Sequence, residues 1–144
     1  MKQEEKDLLL KDLCGRLTYG VKVKFGDSKP ELLTVIEHDE FGWQIGSEDE
    51  FGGMITIIDN IKPYLFPLSS MTDELWDKEF MGCGITEFTR DSFKYGCETL
   101  EFDNSNPNLL SMVRFINQLI KNHFDIYGLI PMGLAIDATG LNIY

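Results

Sequence analysis

Residues 21–36 read Val-Lys-Val-Lys-Phe-Gly-Asp-Ser-Lys-Pro-Glu-Leu-Leu-Thr-Val-Ile, and the fold turns on them. Val21, Val23 and Phe25 alternate with Lys22 and Lys24, the period-two pattern of a strand with one dry face and one wet face. Gly26 to Pro30 concentrates turn formers. Leu32 to Ile36 is apolar on both faces, which predicts a centrally placed strand. Downstream, His38-Asp39-Glu40-Phe41-Gly42 turns the chain into Trp43 to Ile45, and an acidic loop over 46–53 leads to Met54 through Ile58. Four strands on short connections make an antiparallel meander. Four or five twisted strands of this length bury one face by curling into a small open barrel against a helix. In the exit, Ile61 to Leu68, Pro63 and Pro67 predict an edge segment or irregular crossing that carries Tyr64, Leu65 and Phe66 onto the core.

Before the meander, Leu9, Leu10, Leu13, Cys14 and Leu17 fall at helical spacing, with Glu4, Glu5 and Asp7 at the positive end and Gly15 placed as a stop. After it, Thr72 is a good N-cap for a helix to about Phe80, ended by Gly82. Asn106-Pro107 opens a second helix to about Asn122, with Leu109, Met112, Val113, Ile116, Leu119, Ile120 and His123 as its apolar stripe. Tyr127 to Ile130 predicts a short helical turn followed by an extended tail. Between Cys83 and Phe102, Ile85 to Thr89 and Glu98 to Phe102 alternate only weakly as strands. The expected class is therefore α+β: an N-terminal helix, a four- to five-stranded meander, then a helical C-terminal half.

The chain has 144 residues, a length that suits one domain, β-rich over about 19–68 and helical over about 72–138, burying roughly 70% of its unfolded surface. Thirteen Lys and Arg against 24 Asp and Glu give a formal charge of −11, the wrong sign for gripping a phosphate backbone, so direct nucleic-acid binding is disfavoured. No apolar run spans a bilayer, and the acidic start, Met-Lys-Gln-Glu-Glu, is unlike a signal peptide; the expected residence is cytoplasmic. Cys14, Cys83 and Cys97 form no C-x-x-C pair and read as free thiols in a reducing compartment.

No phosphate-cradling glycine motif is present, and with only His38 and His123 a histidine-based metal centre is implausible; neither cofactor nor metal is expected. Gly82-Cys83-Gly84 reads as an unreactive loop cysteine. His123 and Asp125 are the candidate acid–base pair, with no nucleophile placed beside them by sequence. Seven acids and no Lys or Arg lie between Glu37 and Asp59, a negative lobe containing Glu48, Asp49 and Glu50 that either steers a basic protein partner or maintains solubility. Phe41, Trp43 and Phe51 stand within it as candidate anchors for a protein partner; the competing expectation is that Trp43 faces the core and only Phe41 and Phe51 are partly exposed.

Three blocks stand in order along the chain: Leu8 to Leu17 with Tyr19-Gly20-Val21, then Pro63 to Thr72, then His123-Phe124-Asp125 with Gly128-Leu129-Ile130 and Gly133 to Ala138. In this order they resemble a family of small uncharacterised proteins carried by phages, prophages and mobile elements of gut bacteria. The resemblance covers about a quarter of the chain and implies no known activity. Ile126 and Tyr127 stand where the family pattern has Tyr and Arg, and residues 83–106 read as extra length. The leading expectation is a non-catalytic accessory protein acting through protein contact. The alternatives are a small hydrolase-like enzyme centred on His123 and Asp125, and an acidic DNA mimic that occupies a host DNA-binding protein.

Overall fold

A computed structural model of the chain describes residues 1–47, 54–83 and 109–144. Backbone packing divides it into two compact units, Met1–Phe66 with Tyr127–Tyr144, and Pro67–Ile126. The fold is mixed α+β, with an N-terminal helix, one sheet of four strands, another of three, and a C-terminal helix. No closed barrel is formed among the described residues.

In the first unit, helix α1 spans Gln3–Arg16. Its first turn is capped by Glu5, whose carboxylate accepts the Lys2 N–H at 2.8 Å. Gly15 does not stop it. The helix runs on through a 3-10 turn, Leu17–Tyr19, and ends at Gly20, whose φ of +71° suits a residue without a Cβ. The extra turn keeps Arg16 in helical register with Asp12. Its Nε and Nη2 donate to the two carboxylate oxygens at 2.8 and 2.7 Å, with both side chains withdrawn from water. The buried stripe is accordingly Leu9, Asp12, Leu13 and Arg16, and Cys14, expected within it, faces solvent.

Strand β1, Lys22–Phe25, buries Val23 and Phe25 and turns its lysines outward, as the alternation predicts. It lies between β2, Glu31–Leu32, and β6, Ile61–Leu65, antiparallel to both. The expected central strand over 32–36 is instead a bend between two edge strands, β2 and β3 (Val35–Asp39). Leu33 N–H still donates to Val21 C=O at 3.0 Å, whereas Thr34 N–H already donates to Gly46 C=O at 3.0 Å. One chain segment thus passes its hydrogen bonds from the first sheet to the second. The double apolarity serves the corner, where Leu33 is buried and Leu32 is left exposed. The second sheet has the order β3-β4-β5, with β4 at Gly42–Ser47 and β5 at Met54–Ile57.

Pro63 corrects a second expectation. After a 3-10 turn at Ile58–Asn60, β6 is an interior strand, flanked by β1 and by a parallel β7, Ile136–Asp137. Gly26 N–H donates to Asn60 C=O at 2.9 Å, which sets the phase of the antiparallel ladder. Val23 and Pro63 face each other at a position that exchanges no hydrogen bonds, so the missing N–H costs the β1–β6 ladder nothing. The tail after Ile130 is therefore part of the sheet. It is led there by a turn in which Gly133, at φ +73°, lets Gly133 N–H reach Ile130 C=O and Leu134 N–H reach Leu129 C=O, both at 2.9 Å. Leu129, Leu134 and Ala135 then join Leu9, Leu13, Val23, Phe25, Leu33, Ile45, Ile61 and Leu65 in one core. Burying each of the larger side chains contributes roughly 1.5–3 kcal/mol.

In the second unit, Thr72 Oγ1 accepts the Leu75 N–H at 3.2 Å and opens α2, Asp73–Glu79, as predicted. Helix α3 is described over Leu109–Lys121; the predicted cap at Asn106-Pro107 and the weak strands at 85–89 and 98–102 lie outside the described residues. Aromatic packing sets the face α3 buries. Trp76 and Phe80 stack at 5.4 Å, and Phe115 meets them at 5.9 and 5.6 Å. Phe115 and Leu119 are buried, whereas Val113 and Ile116 of the predicted stripe are exposed. Gln118 Nε2 donates to Glu79 C=O at 3.0 Å, and Lys121 pairs with the Glu79 carboxylate at 3.2 Å, tying α3 to the end of α2.

Candidate functional site

The β3–β4 hairpin is tight because its chemistry is local. Asp39 Oδ1 accepts the Phe41 N–H at 2.8 Å, and Gly42 takes a φ of +111° that returns the chain into β4. Phe41 is left at the tip, 79% exposed. Trp43, directly opposite His38, lies on the same sheet face as Ile45, yet it sits at the outer end of that face and is 41% exposed. The His38 ring stands edge-on to the indole at 5.0 Å and 80°. Trp43 thus joins the surface rather than the core.

Between this hairpin and α1 runs a cleft of about 260 Å³, walled by Gln3, Lys6, Asp7 and Leu10 on one side and by Phe41, Trp43 and Ile57 on the other. Ile57, 47% exposed on the edge strand β5, adds a third large apolar side chain. Asp59 closes one end. Its carboxylate is held by the Lys6 ammonium and the Met1 amino group. The hydrogen bond from Lys6, ahead of the opposing effect of desolvation, keeps that carboxyl below its ordinary range.

Of the seven acids in the expected negative lobe, Glu37, Asp39 and Glu40 are exposed on the hairpin. Asp59 points back to α1. Glu48, Asp49, Glu50 and the anchor Phe51 lie outside the described residues.

His123 and Asp125 are both buried, in the second unit. His123 has a backbone role: at φ +60° it is the left-handed residue that ends α3, with His123 N–H donating to Ile120 C=O at 3.0 Å and Phe124 N–H to Leu119 C=O at 2.9 Å. These two bonds close the helix end in the manner usually served by glycine. Burial pushes the Cys83 thiol up, against a smaller opposing effect of Arg114, which weakens it as a nucleophile. No group of three or more His, Cys, Asp or Glu side chains is placed to hold a metal among the described residues, and no helix there is long and apolar enough to cross a membrane.

Two features were missed from sequence. The Asp12–Arg16 pair carried a signal, an acid four residues ahead of an arginine on the Leu9–Leu13 side of α1. Ile57 carried none, because strand residues at an edge and in a centre look alike. No protein-family model, no curated protein and no solved structure matches the chain.

Proposed function

We propose that this chain is a non-catalytic module that works by holding another protein, with the cleft between α1 and the β3–β4 hairpin as its contact surface. The observation that carries this reading is the exposure of three large apolar side chains, Phe41, Trp43 and Ile57, around one cleft. Grouped apolar exposure of this kind marks contact surfaces, and aromatic side chains are the usual anchors. Glu37, Asp39 and Glu40 beside them favour a partner with a basic face, whose approach they would speed at low salt. The backbone role of His123 accounts for its position without chemistry. Asp59, held by Lys6, interrupts the row of acids that a DNA mimic would need.

The same proposal places the protein in the cytoplasm and, on the resemblance of its sequence blocks, among phage and mobile-element accessory proteins. It also reads the two sheets as an open barrel. The shared bend at Leu33–Thr34 and a core that draws Val23, Ile45 and Ile61 from both sheets support that arrangement.

Pull-down from cells that naturally carry the gene tests the contact surface, comparing wild type with a Phe41→Ser/Trp43→Ser variant shown by circular dichroism to be folded. At least one partner should be lost from the variant. Identical partner sets for the two proteins would overturn the reading.

A further inference from the structure

The β1–β6 ladder ends in an interruption. Gly26 and Asn60 are bonded directly, so the pairs two and four residues on, Lys24–Lys62 and Lys22–Tyr64, are those whose N–H and C=O groups point at each other. The neighbouring ladder agrees: Leu33 N–H donates to Val21 C=O, so odd-numbered residues of this segment serve β2 and even-numbered ones serve β6. Lys22 N–H nevertheless donates to the phenolic oxygen of Tyr144 at 3.1 Å, and that hydroxyl donates to Tyr64 C=O at 2.7 Å. A side chain 122 residues away replaces the last direct bond of the ladder.

Tyr144 is 43% exposed, with its ring packed on one side. Phe66 lies against it at 5.8 Å, and Lys22 Nζ donates to Ile143 C=O at 2.8 Å, fixing the segment that delivers it. We propose that the gap is a binding site for an aryl hydroxyl group, filled in this chain by Tyr144. The selectivity follows from the two partners. Lys22 N–H needs an acceptor and Tyr64 C=O needs a donor, and one hydroxyl oxygen supplies both. An ammonium has no acceptor and a carboxylate has no donor. The flat ring adds the contact with Phe66.

Chemical rescue of the full chain carrying Tyr144→Ala tests this. Added p-cresol should raise the unfolding midpoint of the variant and shift the Lys22 amide resonance, toluene should do neither to the same extent, and wild type should respond to neither. A response to p-cresol no larger than that to toluene, or an unmoved Lys22 amide, would overturn the proposal. Should Tyr144→Ala fail to fold, Tyr144→Phe keeps the ring and removes only the hydroxyl. Hydrogen exchange at Lys22 should then quicken roughly fivefold, the equivalent of one hydrogen bond, and an unchanged rate would count equally against the site.

Discussion

Arg16 and Asp12 show how one residue pair sets the cost of a helix face. Two opposite charges on adjacent turns of α1 are fully withdrawn from water, joined by two short hydrogen bonds. Desolvation of such a pair is offset only while both partners stay. Arg16→Met alone should therefore destabilise the protein by about 3–5 kcal/mol in urea unfolding, while Asp12→Leu/Arg16→Met should recover most of the loss. A double variant no better than the single one would show that the pair does more than balance itself. His123 is the second residue-scale case. Both His123→Ala and His123→Gly remove the imidazole, but only glycine accepts φ +60° without strain. The glycine variant should be the more stable of the two by about 1 kcal/mol.

At the scale of elements, the end of α1 makes two substitutions of one kind act with opposite sign. Gly15 lies inside the helix with nothing within 4 Å of an added Cβ. Gly15→Ala should stabilise the protein by about 0.5–1 kcal/mol through helix propensity. Gly20, at φ +71°, has Leu32 Cδ1 3.6 Å from an added Cβ. Gly20→Ala should destabilise by about 1 kcal/mol because the left-handed backbone, not the ordinary van der Waals contact, resists it. Thermal unfolding of the two variants side by side decides the matter, and equal signs would place the helix end elsewhere. Elements were legible wherever the cause was local. The alternation of β1, the Thr72 cap and the hairpin at Asp39–Gly42 were all readable in the sequence. The bend at Leu33–Thr34 and the burial of Phe115 were not, since each depends on which neighbour the segment meets.

For the whole molecule, pH reports on long-range closure. Desolvation at the hydroxyl end of Tyr144, a residue still 43% exposed overall, is partly countered by the hydrogen bond from Lys22 N–H and pushes the phenol up from an ordinary 10.0 to about 12. The unfolded chain gives up that proton first, so the folded state is the better proton binder between these values and its stability is lost as pH rises from about 10 to 12. Tyr144→Phe should be less stable at neutral pH and show a shallower alkaline decline, measured as urea midpoints across that range. Equal slopes would mean that the phenol is not enclosed. Asp59 acts in the opposite direction: its lowered value gives a contribution present above the ordinary carboxyl range and lost as pH falls through its folded value, and Lys6→Met should flatten that acid limb.

The candidate site divides along the same line. Phe41 was legible because a turn of local hydrogen bonds lifts it clear, whereas Trp43 and Ile57 became surface residues only through where their strands lie in the sheet. By itself the sequence determined the α+β class, the N-terminal helix, the outward lysines of β1 and the tip of the hairpin. Their causes act within a few residues. Tertiary structure alone decided that Pro63 can stand in a central strand, that Ile136–Asp137 completes a sheet and that Tyr144 bridges β1 and β6. Those outcomes hang on hydrogen-bond phase and packing between residues up to 122 apart, and no local pattern carries that information.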